Sequence, residues 1–97
     1  MKQNKVVVEN VNTPGRTTRV TAEKYTAMHQ AYLQVLPTVP PGATHAQLLD
    51  LVKPHLPEAL FPGGKTSGWW MKTVQLDLEA KQQVVRTPGR PLRWHRA

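Results

Sequence analysis

Apolar residues recur along this chain with two periods, and the change of period marks its elements. Tyr25, Met28, Tyr32 and Leu36 fall at i, i+3, i+7 and i+11, one face of a helix. Thr21 is placed to cap that helix, and Pro37 ends it. A second helix is predicted from Thr44, because Thr44-His45-Ala46-Gln47 fits a capping box in which hydroxyl and amide side chains satisfy each other's backbone N–H. Leu48, Leu49, Leu51 and Val52 supply its buried side, and Pro54 stops it near Lys53. A third helix is predicted over Ser67–Gln83, with Trp70, Met71, Val74 and Leu78 on one face. Trp69, Thr73, Leu76 and Ala80 form a second apolar stripe, roughly opposite, with a narrow polar strip of Lys72, Gln75, Glu79 and Gln82 between the two. A helix apolar on two sides is buried on both, by the N-terminal segment or by a partner.

Extended segments flank the helices. Val6–Val8 and Thr17–Val20 bracket Thr13-Pro14-Gly15-Arg16, a turn signal in which Pro presets φ and Gly supplies a positive φ. Val84–Arg86 and Pro91–Arg96 bracket Thr87-Pro88-Gly89-Arg90 in the same way. The two turns share Thr-Pro-Gly-Arg-x-x-Arg, which we attribute to convergent turn chemistry. Thr38–Ala43 is read as a loop with room for one short strand. His55–Thr66 is a long Pro-rich connection pinned by Leu56, Leu60 and Phe61. Residues 1–12 are read as a flexible arm or edge strand and residues 13–97 as a single domain.

Composition narrows the function classes. Ninety-seven residues support one small core. There is no cysteine, which removes disulfides, thiol catalysis and cysteine-based zinc sites and fits a cytoplasmic location. No apolar run approaches the length of a membrane span or of a signal peptide's core. His29, His45, His55 and His95 lack metal-ligand spacing, and no nucleophile or carboxylate pair stands out. No metal, cofactor or catalysis is expected. The net charge of +7 favours a polyanionic partner.

From Lys81 to the end there are five Lys or Arg and no acidic residue. The stretch Leu78-Glu79-Ala80-Lys81-Gln82-Gln83-Val84-Val85-Arg86 resembles the junction between recognition helix and wing in winged-helix regulators. Gln82 stands where those regulators carry a left-handed Gly, at a cost of about 1 kcal/mol. The connection between the second and third helices is longer than the turn of a standard helix-turn-helix. Phe-Pro-Gly-Gly at 61–64, Gly-Trp-Trp-x-Lys at 68–72, Val-Gln-Leu-Asp-Leu-Glu-Ala-Lys at 74–81 and Pro-Leu-Arg-Trp-His at 91–95 resemble, more closely, a small family of bacterial proteins of unknown function. That resemblance spans Pro14 to Trp94.

The expected fold is α+β: a three-helix, winged-helix-like domain with a C-terminal β-hairpin wing and an N-terminal hairpin or arm. The expected function is non-enzymatic binding of double-stranded DNA, as in a transcriptional regulator. Lys65, Thr66 and Ser67 would lie at the start of the recognition helix, with Lys72 and Gln75 reaching base edges. Arg86, Arg90, Arg93 and Arg96 would meet phosphates. The alternative is a protein-interaction or homodimerisation module using Trp69, Thr73, Leu76 and Ala80. Trp70 and Trp94 are expected in the core, so exposure of Trp69 would point to a partner or to base stacking. Ala59–Thr66 ends like a phosphate-binding loop but lacks the preceding strand, which argues against nucleotide hydrolysis. The run Gly63–Gly68 into a helix start could still hold a small anion.

Overall fold

A computed structural model describes residues 4–97 of the chain. The described residues form a mixed α+β structure of three α-helices and two small sheets. Strands β1 (Lys5–Glu9) and β2 (Thr17–Thr21) form an antiparallel hairpin in which Val6 faces Val20 and Val8 faces Thr18. Period-2 alternation turns Val8 and Val20 inward and leaves Val7 and Arg19 in solvent. The tip closes with Thr13 N–H donating to the Asn10 carbonyl at 3.0 Å and Arg16 N–H to the Thr13 carbonyl at 3.1 Å. The segment read as an arm or edge strand is thus a paired strand over Lys5–Glu9; residues 1–3 of that segment lie outside the described residues.

Helix α1 (Ala22–Val35) follows β2 directly, with Thr21 at its N-cap in extended conformation. The Thr21 side chain makes no capping bond, and the Ala22 N–H instead donates to the Asn4 carbonyl at 2.8 Å. Met28, Ala31 and Tyr32 are buried along its inner face, and Leu36 is buried just past its end. Strand β3 (Ala43–Thr44) leads into α2 (His45–Val52), and both bonds of the Thr44–Gln47 capping box form, at 3.2 and 3.0 Å. A 3₁₀ turn at Lys53–His55, carrying Pro54, ends α2. Phe61 is buried in the long connection, with Leu56 and Leu60 packed partly against the core.

Helix α3 (Ser67–Ala80) is the centre of the fold, and it stops short of the expected Gln83. A Schellman arrangement ends it: Gln82 N–H donates to the Glu79 carbonyl at 3.1 Å and Gln83 N–H to the Leu78 carbonyl at 2.9 Å. Gln82 takes the left-handed conformation this requires, at φ 62°. Strands β4 (Val84–Thr87) and β5 (Arg93–Arg96) then form an antiparallel hairpin, and β3 adds to β5, giving the order β3-β5-β4. Gly42 makes that addition possible. Its φ is 90°, and a Cβ there would lie 2.1 Å from the Trp94 carbonyl oxygen.

Candidate nucleic-acid interface

Val74 to Glu79 are all buried, so Gln75 and Glu79 of the polar strip expected on α3 are internal, while Lys72 and Gln82 are exposed. Gln75, expected at a base edge, is 3% exposed, and its Oε1 accepts from the Tyr32 hydroxyl at 2.8 Å. Asp77 is fully buried. Its Oδ1 accepts from the Glu9 N–H at 2.8 Å, and its Oδ2 accepts from the Tyr25 hydroxyl and from Lys81 Nζ, the latter at 2.9 Å. Glu79 accepts from Arg86 Nε and Nη2, both at 2.8 Å, and from the Trp94 indole N–H at 2.6 Å. The three acceptors therefore tie α3 to α1, to β1 and to the C-terminal hairpin. Buried polar groups need partners, and these positions have them.

The burial has electrostatic consequences. Hydrogen bonding to Glu79 holds the Arg86 guanidinium still more firmly protonated than usual. Burial pushes the Tyr32 hydroxyl well above its ordinary range, and burial together with Asp77 does the same to Tyr25. His29 is lowered by burial, partly offset by attraction to Asp77, and its Nε2 has no hydrogen-bond partner. His45 is lowered by burial and by the nearby Lys72 charge.

The C-terminal hairpin divides the four arginines expected at phosphates. Arg86 turns inward to Glu79, and Arg96 donates to the Leu33 carbonyl at 2.8 Å. Strand alternation explains this, because Val84, Arg86, Trp94 and Arg96 share one face, on which Arg86 and Trp94 meet Glu79 of α3 and Arg96 meets Leu33 of α1. Arg90 at the tip and Arg93 at the start of β5 enter no ion pair among the described residues. At the start of α3, Ser67 is buried and donates to the Gly64 carbonyl at 2.7 Å. The Thr66 hydroxyl donates to the Lys65 carbonyl at 2.6 Å, and Lys65 itself is exposed.

Half of the backbone N–H groups in the Gly63–Gly68 run, those of Gly63, Gly64 and Lys65, are already bonded within the chain. Gly63 N–H donates to Glu58 Oε1 at 2.9 Å, Gly64 N–H to the Phe61 carbonyl and Lys65 N–H to the Pro62 carbonyl. A phosphate there would compete with bonds already made and with the Glu58 charge.

The second apolar stripe of α3 is partly covered by the N-terminal hairpin. Leu76 is 8% exposed, whereas Trp69 is 55% exposed. Between hairpin and helix lies a cleft of about 560 Å³, floored by Val8, Val20 and Leu76 and edged by Arg16, Trp69 and Lys72. Thr73 also lines it, while Ala80, at the far end of the stripe, does not. Sequence periodicity puts Trp69 on the second apolar stripe and Lys72 on the polar strip; Arg16, Val8 and Val20 join them here only through the packing of the hairpin. Among the described residues no group of three His, Asp or Glu could hold a metal ion, and no helix is long and apolar enough to cross a membrane.

These features define a small basic α+β protein, with a buried central helix flanked by two hairpins. The chain belongs to the family of unknown function DUF6958, whose model matches residues 5–94. No curated protein and no solved structure matches it.

Proposed function

We propose that this chain is a non-enzymatic nucleic-acid-binding module of the winged-helix kind, which holds double-stranded DNA through arginines on its two hairpins. The observation that carries the reading is a pair of arginines on each hairpin that is free of carboxylate partners among the described residues. Arg16 and Arg19 on one, and Arg90 and Arg93 on the other, enter no ion pair among the described residues. The element order supports it: three helices and then a hairpin, with the short β3 pairing to the last strand. Asp77 and Glu79 would repel DNA if they were exposed on α3, but they are buried and matched by Lys81 and Arg86.

Contacts of this kind supply affinity without sequence information. With Gln75 internal, the exposed positions left to α3 for base readout centre on Lys72, so we infer weak sequence preference, with the cytoplasm as compartment. The test is fluorescence anisotropy of labelled random duplex at about 50 and 200 mM salt. Binding should weaken steeply with salt, and an R90A/R93A variant should bind less tightly with a shallower salt slope. Absence of binding at the lower salt overturns the reading.

A protein or homodimer contact through Trp69, Thr73, Leu76 and Ala80 is the second reading. It is favoured by the exposure of Trp69, and weakened because the hairpin already covers Leu76.

A further inference from the structure

The duplex reading, on which this inference builds, uses Arg16 and Lys72 at the rim of the cleft between the β1–β2 hairpin and α3 but leaves Trp69 and the floor of the cleft without a role. We propose that this cleft takes a base of a single-stranded nucleic acid, stacked on Trp69, with flanking phosphates held by Arg16 and Lys72. Trp69 is 55% exposed, although Trp70 and Trp94 are only 8% and 6% exposed. It stands edge to face against Trp70, with ring centroids 5.0 Å apart and planes at 80°. A large aromatic surface in water gains most when a flat ligand covers it.

The surroundings choose the ligand. Arg16 and Lys72 line the cleft, and neither is matched by an ion-pair partner among the described residues. Glu9 is the acidic residue on the rim, so two cations face one carboxylate and the cleft favours an anion. The volume of about 560 Å³ is in the range of small-ligand sites. An acidic peptide would satisfy the cations but would cover the indole only if it also carried an aromatic or apolar side chain at the right spacing. A nucleotide satisfies both, since every base has a π-face and a phosphate beside it. The strand must be single, because the bases of a duplex are stacked on one another and cannot reach a side chain in a cleft without being flipped out. Stacking tolerates any base, so weak sequence preference is again expected.

The experiment titrates the full chain with a short oligodeoxythymidine while following tryptophan emission. Inorganic polyphosphate and polyglutamate serve as polyanions without bases. Trp69 is the exposed indole, so the oligonucleotide should quench saturably and the other two polyanions should not. Trp69→Ala should abolish the quenching and lower oligonucleotide affinity, read by anisotropy, about fivefold or more. Trp69→Phe should retain part of that affinity. An unchanged melting temperature for both variants would show that the fold survives.

R90A/R93A should leave the quenching intact, which separates the cleft from the hairpin-tip contacts. If duplex binding persists but no saturable quenching is seen, the cleft inference is overturned and the duplex reading stands; the reverse result removes the duplex reading alone. Equal oligonucleotide affinity for the wild type and Trp69→Ala, or displacement of the oligonucleotide by polyglutamate as effective as by unlabelled oligonucleotide, overturns base stacking in the cleft.

Discussion

Glu79 and Arg86 meet in a two-pronged ion pair, with Nε on Oε1 and Nη2 on Oε2, both at 2.8 Å. The same Oε1 accepts the Trp94 indole N–H at 2.6 Å, so one carboxylate clamps both strands of the C-terminal hairpin to α3. The planar fork of arginine suits this geometry as a lysine would not. Glu79→Gln should cost on the order of 2–3 kcal/mol in urea unfolding. The loss stays below that of a fully buried pair because 32% of the Arg86 side chain is in solvent. Arg86→Lys should not restore stability. Arg86→Ala should lower stability while changing the salt slope of DNA binding less than R90A/R93A does.

Asp77 does for the N-terminal hairpin what Glu79 does for the other. Asp77→Ala removes the acceptor for the Glu9 N–H, the Tyr25 hydroxyl and Lys81 at once. Lys81, partly in solvent, rehydrates, but the other donors lose a buried partner. We expect faster hydrogen exchange concentrated in β1 and β2, with α2 and its capping box little changed. Uniform acceleration across the whole chain would show that the hairpin is no separate unit.

The elements were legible because their signals are local. The Thr44–Gln47 box needs only four consecutive residues, and the hairpins need only apolar runs around Pro-Gly. The burial of Gln75 and Asp77 was not legible, because their partners Tyr32 and Tyr25 lie 43 and 52 residues away. One signal was available. Val74-Gln75-Leu76-Asp77-Leu78-Glu79 places polar residues on several sides of a helix that is apolar on two, and a helix packed all round must pair its polar groups internally. By contrast, the cleft depends on how the hairpin docks on α3, for which no spacing in the sequence is a guide.

Gly42→Ala tests the close approach of β3 to β5. A Cβ would meet the Trp94 carbonyl oxygen at 2.1 Å, and backbone cannot swing aside as a side chain can. We expect a loss on the order of 2–4 kcal/mol. Near-ultraviolet dichroism should show Trp94 disturbed. Gly15→Ala at the tip of the first hairpin also has a positive φ but meets nothing within 4 Å, so it should cost less.

Stability should fall at both ends of the pH range, for different reasons. His29 in the folded chain titrates below its ordinary 6.5, so the unfolded chain binds more protons as the pH drops through that value. The His29 contribution is therefore complete above about 6.5 and is lost on acidification. His29→Phe should flatten this acid limb in melting temperature measured against pH. Tyr25 and Tyr32 titrate above their ordinary 10, so the unfolded chain releases protons first and stability falls as the pH rises past 10. Tyr32→Phe should flatten the alkaline limb and, because Gln75 loses its partner, lower stability at neutral pH by about 1–2 kcal/mol.

Gln82 offers the opposite kind of test, a substitution that should stabilise. The Schellman closure of α3 needs a left-handed residue at this position, and Gln82 adopts φ 62° to supply it. A residue with a Cβ is strained there, whereas glycine is not. The Gln82 side chain is exposed and makes no hydrogen bond within the described residues, so little is lost on its removal. Glycine also enlarges the conformational freedom of the unfolded chain, which offsets part of the gain. The balance should favour Gln82→Gly by about 1 kcal/mol, seen as a higher urea midpoint at unchanged slope. Gln82→Val, β-branched and most strained in this conformation, should shift the midpoint down. If glycine were neutral and valine harmless, the helix end would be set by the packing of Val84 and not by the turn.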